Sequence, residues 1–332
     1  MTSKSGKPLN LIILHKEGED EPPSSPATLK HIIKVAKRHN INAELLTLDD
    51  QDLIYYNNYD AVFIRQTTYA HLFGLESRIY SFARLIQGVG KTIIDDPQSI
   101  EACCDKVEMH KRFMAAGLPT PKTLVISPSW DFRPESVGAY LGYPLVLKDP
   151  ASCFSRGVLR ANYDFEVPKI VDELTKQTKG PLLAQEFLPS SFDWRIGVLN
   201  GEVLYCCQYK MARGYWQIIK RYPDGHQLQG GHVVLKPHEH PEDVCTLAVQ
   251  AANCAGSGLY GVDIKGSPHG PVIIEVNDNP SIDRGIEDRY GNVWGRIFDY
   301  FHQQVNGCHR QVQGNKTSWK NGLGTQLMNM DQ

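Results

Sequence analysis

The chain has 332 residues, with 35 Lys and Arg against 37 Asp and Glu, and a formal net charge of −2 at pH 7. This near-neutral balance argues against a protein that mainly binds nucleic acid or anionic lipid, because both functions need a basic excess. The composition is that of a globular protein, 41% hydrophobic and 22% charged, and the length allows two or three compact units.

The sequence indicates a cytoplasmic protein. The apolar run at residues 11–14 is too short for a secretory signal or a membrane span. The eight cysteines lack zinc-type spacing, and the adjacent pairs at 103–104 and 206–207 cannot easily form internal bridges. We therefore expect reduced thiols and no membrane partner.

The first third of the chain alternates strands and helices. A helix is expected to begin after Ser25, with Pro26 at its first position, and a second follows the apolar spacing between Ile79 and Ile86. Such alternation predicts a parallel sheet covered by helices, here an α/β domain at residues 1–105. The expected strands are residues 9–14, 43–48, 61–64 and 92–94.

Downstream, the pattern changes to hairpins and isolated helices, as in an α+β arrangement. A helix is predicted over residues 99–116, and Asn200-Gly201 is typical of a two-residue hairpin turn. A further helix at 244–254 and a β-branched strand at 272–276 follow. The polar, aperiodic residues 311–332 predict a disordered tail.

Two motifs match known binding patterns but lack the surrounding sequence that those patterns need. Residues 256–261 fit G-x-G-x-x-G, but a predicted helix precedes them and a strand follows, which reverses the order that a dinucleotide site needs. His238 and His240 lie in a polar, proline-flanked turn, which favours a solvated turn over a metal pair.

The predicted strand at 272–276 carries the most informative polar residues. Period-two alternation places Glu275 and Asn277 on one face, and the preceding strand carries Asp263 between apolar neighbours. Polar groups in such strands are costly to bury without a partner. Two carboxylates and an amide oxygen suit Mg²⁺ or Mn²⁺; a solvent-facing edge with incidental acids is the alternative.

A magnesium site suggests a nucleotide phosphate, and cations are present to bind one. Lys148 ends an apolar strand, and the loop at 152–157 carries hydroxyl groups and one glycine. The strand at 182–188 offers polar edges for an adenine. Asp193 and Arg195 project to the same side, where an ion pair between them is an equally good explanation.

The order and spacing of these residues resemble the ATP-grasp ligases, and within them the RimK-like and glutathione-synthetase-like carboxylate–amine ligases. The resemblance covers about residues 60–300, and the motifs are specific only in combination. The matching stretches are residues 96–99, 105–106, 119–123, 144–148, 154–158, 185–188, 193–195, 261–263 and 274–277.

The resemblance implies an ATP-grasp fold of two α+β subdomains preceded by a Rossmann-like domain. It implies a central lid subdomain at 106–185 and a C-terminal subdomain with the metal site at 186–310. It also implies ATP and two Mg²⁺ ions, with Mn²⁺ as an alternative. The implied ATP residues are Lys106, Lys148, Ser155, Arg156, Gly157, Glu186, Phe187, Leu188 and Asp193; the implied metal residues are Asp263, Glu275 and Asn277; the implied catalytic residues are Arg195 and Lys210.

The implied reaction joins a carboxylate substrate to an amine acceptor through an acylphosphate, with an amino acid, a peptide or a protein C-terminus as the carboxylate. A kinase that phosphorylates a hydroxyl and an ATP-binding regulator are the alternatives.

The substrate side of the site stays open. Relatives place Arg and Asn where this chain has Gln217 and Ile219, with Lys220 or Arg213 as candidate replacements. Arg65 and Arg284 are candidates for a substrate carboxylate, with structural ion pairs an equal alternative. A homo-oligomer is compatible with the resemblance.

Overall fold

The computed structural model describes most of the chain. The expected tail at 311–332 lies outside the described residues. These are residues 7–18, 25–50, 58–68, 77–127, 133–152, 157–176, 178 and 180–307.

The first sheet is parallel, as predicted, with strand order β2-β1-β3-β4. Alternate residues of β1 enter two different cores: Leu11 and Ile13 pack beneath α1, whereas Ile12 and Leu14 pack beneath α2. Both faces of the sheet are therefore covered, which explains why the strands are apolar throughout. The elements are β1 (Leu9–Leu14), α1 (Pro26–Arg38), β2 (Ile41–Leu46), β3 (Ala61–Ile64), α2 (Arg78–Gly88) and β4 (Thr92–Ile94).

The prediction of a single helix at residues 99–116 is wrong. Two helices form instead, α3 (Pro97–Cys104) and α4 (Lys106–Ala115), separated by an extended Asp105. The Asp105 carboxylate accepts a hydrogen bond from the backbone N–H of Val107 at 2.8 Å, and so caps α4. Apolar spacing alone could not reveal this break, which places Lys106 at the first position of α4.

The second sheet is antiparallel, with strand order β5-β8-β6-β7. Its apolar side packs against two helices around Leu145, Leu147 and Ala184. The elements are β5 (Thr123–Ile126), α5 (Pro134–Leu141), β6 (Leu145–Lys148), β7 (Val158–Ala161), α6 (Val167–Thr175) and β8 (Leu182–Glu186).

The third sheet has the order β13-β10-β9-β14-β15, and a small β11-β12 ladder lies beside it. The predicted hairpin turn joins β9 to β10, and Asn200 and Gly201 both adopt positive φ as that turn requires. Helix α7 ends at Ala255 and β14 begins at Leu259, so residues 256–258 connect a helix to a strand, the order predicted for this glycine-rich motif. The elements are β9 (Phe192–Leu199), β10 (Glu202–Lys210), β11 (Ile219–Arg221), β12 (Gln227–Gln229), β13 (His232–Val234), α7 (Glu242–Ala255), β14 (Leu259–Ser267) and β15 (Gly270–Asp278).

Residues 293–307 form a helix, α8, that packs on the first sheet. The Phe63 and Phe301 rings lie 5.4 Å apart, centroid to centroid, in an edge-to-face contact. The core of the first sheet therefore includes residues of α8, and this part of the segment after β15 packs against the first sheet. No helix among the described residues is long and apolar enough to cross a bilayer.

Candidate functional site

The site is built on the antiparallel pair β14 and β15. Asp263 pairs in register with Glu275, and Gly261 pairs with Asn277. The Asn277 amide nitrogen lies 3.3 Å from Glu275 Oε1 and 3.4 Å from Asp263 Oδ2. Strand alternation thus brings the three predicted metal residues onto one face.

Arg195 reaches the same face from β9, the strand on the other side of β14. It lies opposite Asp263 in register. Its Nε and Nη2 atoms donate to the two oxygens of Asp263, the second at 2.9 Å. This two-point contact fixes both the carboxylate and the guanidinium.

Two lysines approach Glu275 from the second sheet and from α4. Lys106 Nζ lies 3.7 Å from Glu275 Oε2 and also donates to the carbonyl oxygen of Ser152. Lys148 ends β6 and lines the same cleft. Two ammonium groups and a guanidinium therefore surround two carboxylates.

The pKa values follow from burial and from these neighbours. Burial raises the pKa of Glu275, but Lys106, Lys148 and Arg195 outweigh it and lower the value to about 2. Burial raises the pKa of Asp263 to about 6, although Arg195 opposes the shift. Burial lowers the pKa of Lys148 to about 8. Burial also lowers the pKa of Arg195, but Asp263 reverses the shift and raises it above the ordinary value. At pH 7 the three cations therefore exceed the two carboxylates by one charge.

These side chains line one cleft with a volume of about 510 Å³. A cleft of this size suits a ligand as large as a nucleotide. Thr67 and Thr68, which follow β3, and the segment after β15 also line the cleft. The residues expected to contact adenine also line it: Glu186, Phe187 and Leu188.

The expected adenine and ribose residues have protein partners of their own. The Glu186 carboxylate accepts a hydrogen bond from the Lys122 backbone N–H at 2.8 Å. Asp193 lines the cleft and pairs with Lys265, which also donates to Ser190 Oγ at 2.7 Å. Asp193 and Arg195 thus each pair with a residue of β14 rather than with each other.

Two other expectations concern the phosphate loop. Ser155 and Arg156 lie outside the described residues. Gly157 adopts φ +62°, and a Cβ there would lie 3.1 Å from the Cβ atoms of Asp149 and Ser152. Glycine is therefore required for both backbone and space at the end of this loop.

Three predicted residues lie away from the cleft. Lys210 is exposed at the end of β10, where alternation turns Tyr209 toward the cleft instead. Arg65 has no exposed surface and donates to Asn279 Oδ1 and to the Pro280 carbonyl oxygen, both at 3.0 Å. Arg284 is exposed and lines a different groove. Lys210, Arg65 and Arg284 are therefore not among the residues that line the cleft.

The segment around Gln217 is where the sequence departs from the resemblance and where Lys220 or Arg213 was a candidate replacement. Gln217 and Ile219 line the cleft. Lys220 lies over the Tyr215 and Tyr222 rings, with Nζ 4.8 Å from the second centroid. The cation of this segment that lines the cleft is Arg221.

Sequence reasoning missed Lys265 and Trp216. Lys265 follows Asp263 by two residues, so strand alternation could have placed it on the same face. Trp216 lines the cleft with its ring in edge contact with Phe187, 5.8 Å between centroids, and no local pattern predicts that contact.

The donor set suits a hard cation that shares its shell with phosphate. Among the described residues, no three His, Cys, Asp or Glu side chains cluster as metal ligands. Two carboxylates and one amide therefore form only part of a shell. Mg²⁺ usually accepts this because it retains waters and phosphate oxygens.

The family match and the named relatives identify the class as an ATP-dependent ligase of the ATP-grasp type, which joins a carboxylate to an amine. Residues 103–300 match the model of the RimK-like ATP-grasp domain. The chain belongs to the RimK-like ATP-grasp family.

Relatives and solved structures agree with this assignment. The chain is 30% identical over 215 residues to a probable alpha-L-glutamate ligase 2 of Hahella chejuensis, covering 64% of this chain and 67% of that protein. It is 26% identical over 234 residues to a probable alpha-L-glutamate ligase of Maridesulfovibrio salexigens, covering 70% and 74%.

Two solved structures share the fold. D-alanine–D-alanine ligase from Bacillus anthracis, complexed with ATP, superposes with a TM-score of 0.68 at 13% identity, covering 92% of this chain and all of that one. A RimK domain ATP-grasp protein from Sphaerobacter thermophilus gives 0.61 at 18% identity, covering 87% and 98%.

Proposed function

We propose that the protein uses ATP and a divalent cation to activate a carboxylate as an acylphosphate, which an amine then converts into an amide. One observation carries the proposal: Lys106, Lys148 and Arg195 converge on Asp263 and Glu275 within a single cleft. This is the charge arrangement that a triphosphate and its metal ions need.

ATP would lie along the cleft. Lys106 and Lys148 would bind its phosphates. The adenine would lie against the Glu186–Leu188 segment, where Phe187 and Trp216 already form an aromatic wall. Asp193 would accept hydrogen bonds from the ribose hydroxyls, and Lys265 would hold that carboxylate in place.

Asp263, Glu275 and Asn277 would hold the metal ions, Mg²⁺ or Mn²⁺. Glu275 is ionised throughout the physiological range, since its pKa is about 2. The Asn277 amide presents its nitrogen to both carboxylates, so its oxygen reaches a cation after a rotation of the amide. A bound divalent cation supplies charge neutralisation to the β- and γ-phosphates.

The chain's own residues orient and stabilise the transfer. The substrate carboxylate oxygen attacks the γ-phosphorus, the new O–P bond forms, and the bond to the β-phosphate oxygen breaks to release ADP. Lys148 and Arg195 would neutralise charge on the transferring group. The neutral amine would then attack the acyl carbon, the bond from that carbon to the phosphate oxygen would break, and the proton lost by the nitrogen would leave with the phosphate.

The amine is proposed to be an amino acid, with L-glutamate the first candidate because the named relatives are probable alpha-L-glutamate ligases. The carboxylate partner would be an amino acid, a peptide or a protein C-terminus. Thr67 and Asp283 are part-exposed and line the cleft, and we infer that such a chain enters beside them.

Product analysis tests this function. Purified protein is incubated with ATP, MgCl₂, amino acids and peptides, and the products are weighed by mass spectrometry. A ligase releases ADP and phosphate and gives a product equal to two substrates minus water, whereas a kinase gives a substrate plus phosphate. A heavy-oxygen label on the carboxylate should appear in the released phosphate.

A matched pair of variants on α4 controls the assay. Lys106→Gln should abolish ADP release, because a phosphate-binding cation is lost. Lys111→Gln removes an exposed lysine from the same helix, and should retain it. Failure of every carboxylate and amine to release ADP would refute the proposal.

A further inference from the structure

A second, strongly basic groove lies along α1, outside the cleft. We call it the α1 groove. It has a volume of about 470 Å³, and its lining contains no carboxylate among the described residues. The groove is lined by Ala27, Lys30, His31, Lys34, Val35, Arg38 and Arg284.

The cations of the α1 groove form one stripe on the helix. Lys30, Lys34 and Arg38 are spaced by four residues, which puts them on the same face. All three are exposed, and α1 buries its opposite face through Leu29 and Ile32. The stripe is about 12 Å long, at 1.5 Å per residue.

These charges are not neutralised within the described part of the chain. Lys30, Lys34, Arg38 and Arg284 form no ion pair with any residue that the structure describes. His31 differs, since its Nε2 lies 3.1 Å from Asp288 Oδ2. Like charges four residues apart destabilise a helix, so the stripe has a cost that an anionic ligand would offset.

The α1 groove begins where the cleft ends. Asp283 and Ile286 line the cleft, whereas Arg284, between them in sequence, lines the groove. Thr28 Oγ1 donates to Asp283 Oδ1 at 3.1 Å, which ties the start of α1 to the rim of the cleft. A chain that enters the cleft at this rim can therefore continue along α1.

We propose that the α1 groove binds an acidic peptide segment of the substrate, next to the end that reacts in the cleft. This inference rests on the proposed function for the identity of the reacting end. The stripe matches about three to four residues of extended peptide, at roughly 3.3 Å each. A peptide is favoured over a nucleic acid because the basic surface is short and the overall charge is −2.

Binding to a defined probe tests the proposal without catalysis. Fluorescein-labelled octaglutamate is titrated with the full chain at low salt, without ATP, and anisotropy is read. Lys34→Gln with Arg38→Gln should weaken binding at least tenfold and reduce its salt dependence. The control pair Lys37→Gln with Lys111→Gln removes the same charge outside the groove, and should change binding less than twofold.

Three results would overturn the proposal: no binding of octaglutamate to the wild-type protein, equal weakening by both pairs of variants, or tighter groove-dependent binding of octathymidylate. Because ADP release is not measured, this result is independent of the ligase assay. If the wild-type protein binds octaglutamate through the α1 groove but ligates no substrate, only the proposed function is refuted. If it ligates substrates but does not bind octaglutamate through the groove, only the peptide site is refuted.

Discussion

Arg195 and Asp263 face each other across β9 and β14, and the guanidinium contacts both carboxylate oxygens. Both side chains are largely buried, with 21% and 17% of their surfaces exposed. The Asp263 carboxylate, which we propose as a cation ligand, is therefore already paired with the positive charge of Arg195. Cation binding at Asp263 would release Arg195 toward the transferring phosphate.

Breaking the buried pair between Arg195 and Asp263 should destabilise the protein much more than breaking an exposed ion pair. Asp263→Ala leaves Arg195 buried without its partner, and should lower the free energy of unfolding by about 3–5 kcal/mol. Glu202→Ala breaks an exposed pair with Arg296 and should cost about 1 kcal/mol or less. Urea unfolding measures both; similar values for the two variants would contradict the buried-pair account.

The pKa of Lys148, lowered to about 8 by burial, predicts a pH dependence of ATP binding. Below pH 8 the free protein carries the ammonium that a phosphate needs. Above it the ammonium is lost, so the Kd for ATP should rise by up to about tenfold per pH unit. Calorimetry from pH 7 to 9.5 checks this, together with proton uptake on binding at pH 8.5.

Lys148→Arg is the control, because a guanidinium stays charged over this range. Its Kd should be nearly independent of pH. A wild-type Kd that is flat to pH 9.5, without proton uptake, would contradict the assigned role of Lys148.

Asp278, directly after the metal residues, predicts a pH-dependent stability. Burial raises its pKa from 3.8 to about 7, so the folded state holds a proton that the unfolded state releases. Stability from this group is thus lost as pH rises from about 4 to 7, by at most about 1.4 kcal/mol per pH unit. Asp278→Asn should reduce the fall in Tm between pH 5 and 7.5.

The exposed Asp172→Asn variant is the control for that measurement, and should keep the wild-type fall in Tm. If Tm falls as much in Asp278→Asn as in the wild-type protein, the buried carboxylate does not govern the dependence of Tm on pH.

Asp193 can be tested as a ribose contact against a purely structural role with Lys265. If Asp193 binds the ribose, the wild-type protein prefers ATP over 2′- or 3′-deoxy-ATP, and Asp193→Ala loses that preference while raising the KM for ATP about tenfold. If the pair with Lys265 is only structural, the variant loses Tm but keeps the preference. Steady-state kinetics with the three nucleotides separates these outcomes.

Alternation within strands made the centre of the site predictable from the sequence. Glu275 and Asn277 are two residues apart in one strand, and Asp263 precedes them in its neighbour, so their shared face follows from local geometry. The first sheet was predictable for a similar reason, since its strands β1, β3 and β4 have the expected bounds.

What the sequence could not show depends on contacts between distant segments. Arg65 ends an apolar strand, but the turn at 279–280 and α8 cover it, and neither is near it in sequence. Tyr209 and Lys210 point to opposite faces of β10, and the sequence alone does not show that Tyr209 is the one that lines the cleft. The break at Asp105 depends on a capping hydrogen bond that apolar spacing does not encode.

The most direct test is the effect of Mg²⁺ on ATP affinity, measured by calorimetry in the wild-type protein and in Glu275→Gln. Wild type should bind ATP at least tenfold more tightly with Mg²⁺, whereas Glu275→Gln should lose most of that gain and Glu202→Gln, a distant exposed control, should keep it. Equal gains in all three proteins would contradict the placement of the cations and the triphosphate between β14, β15 and the two lysines.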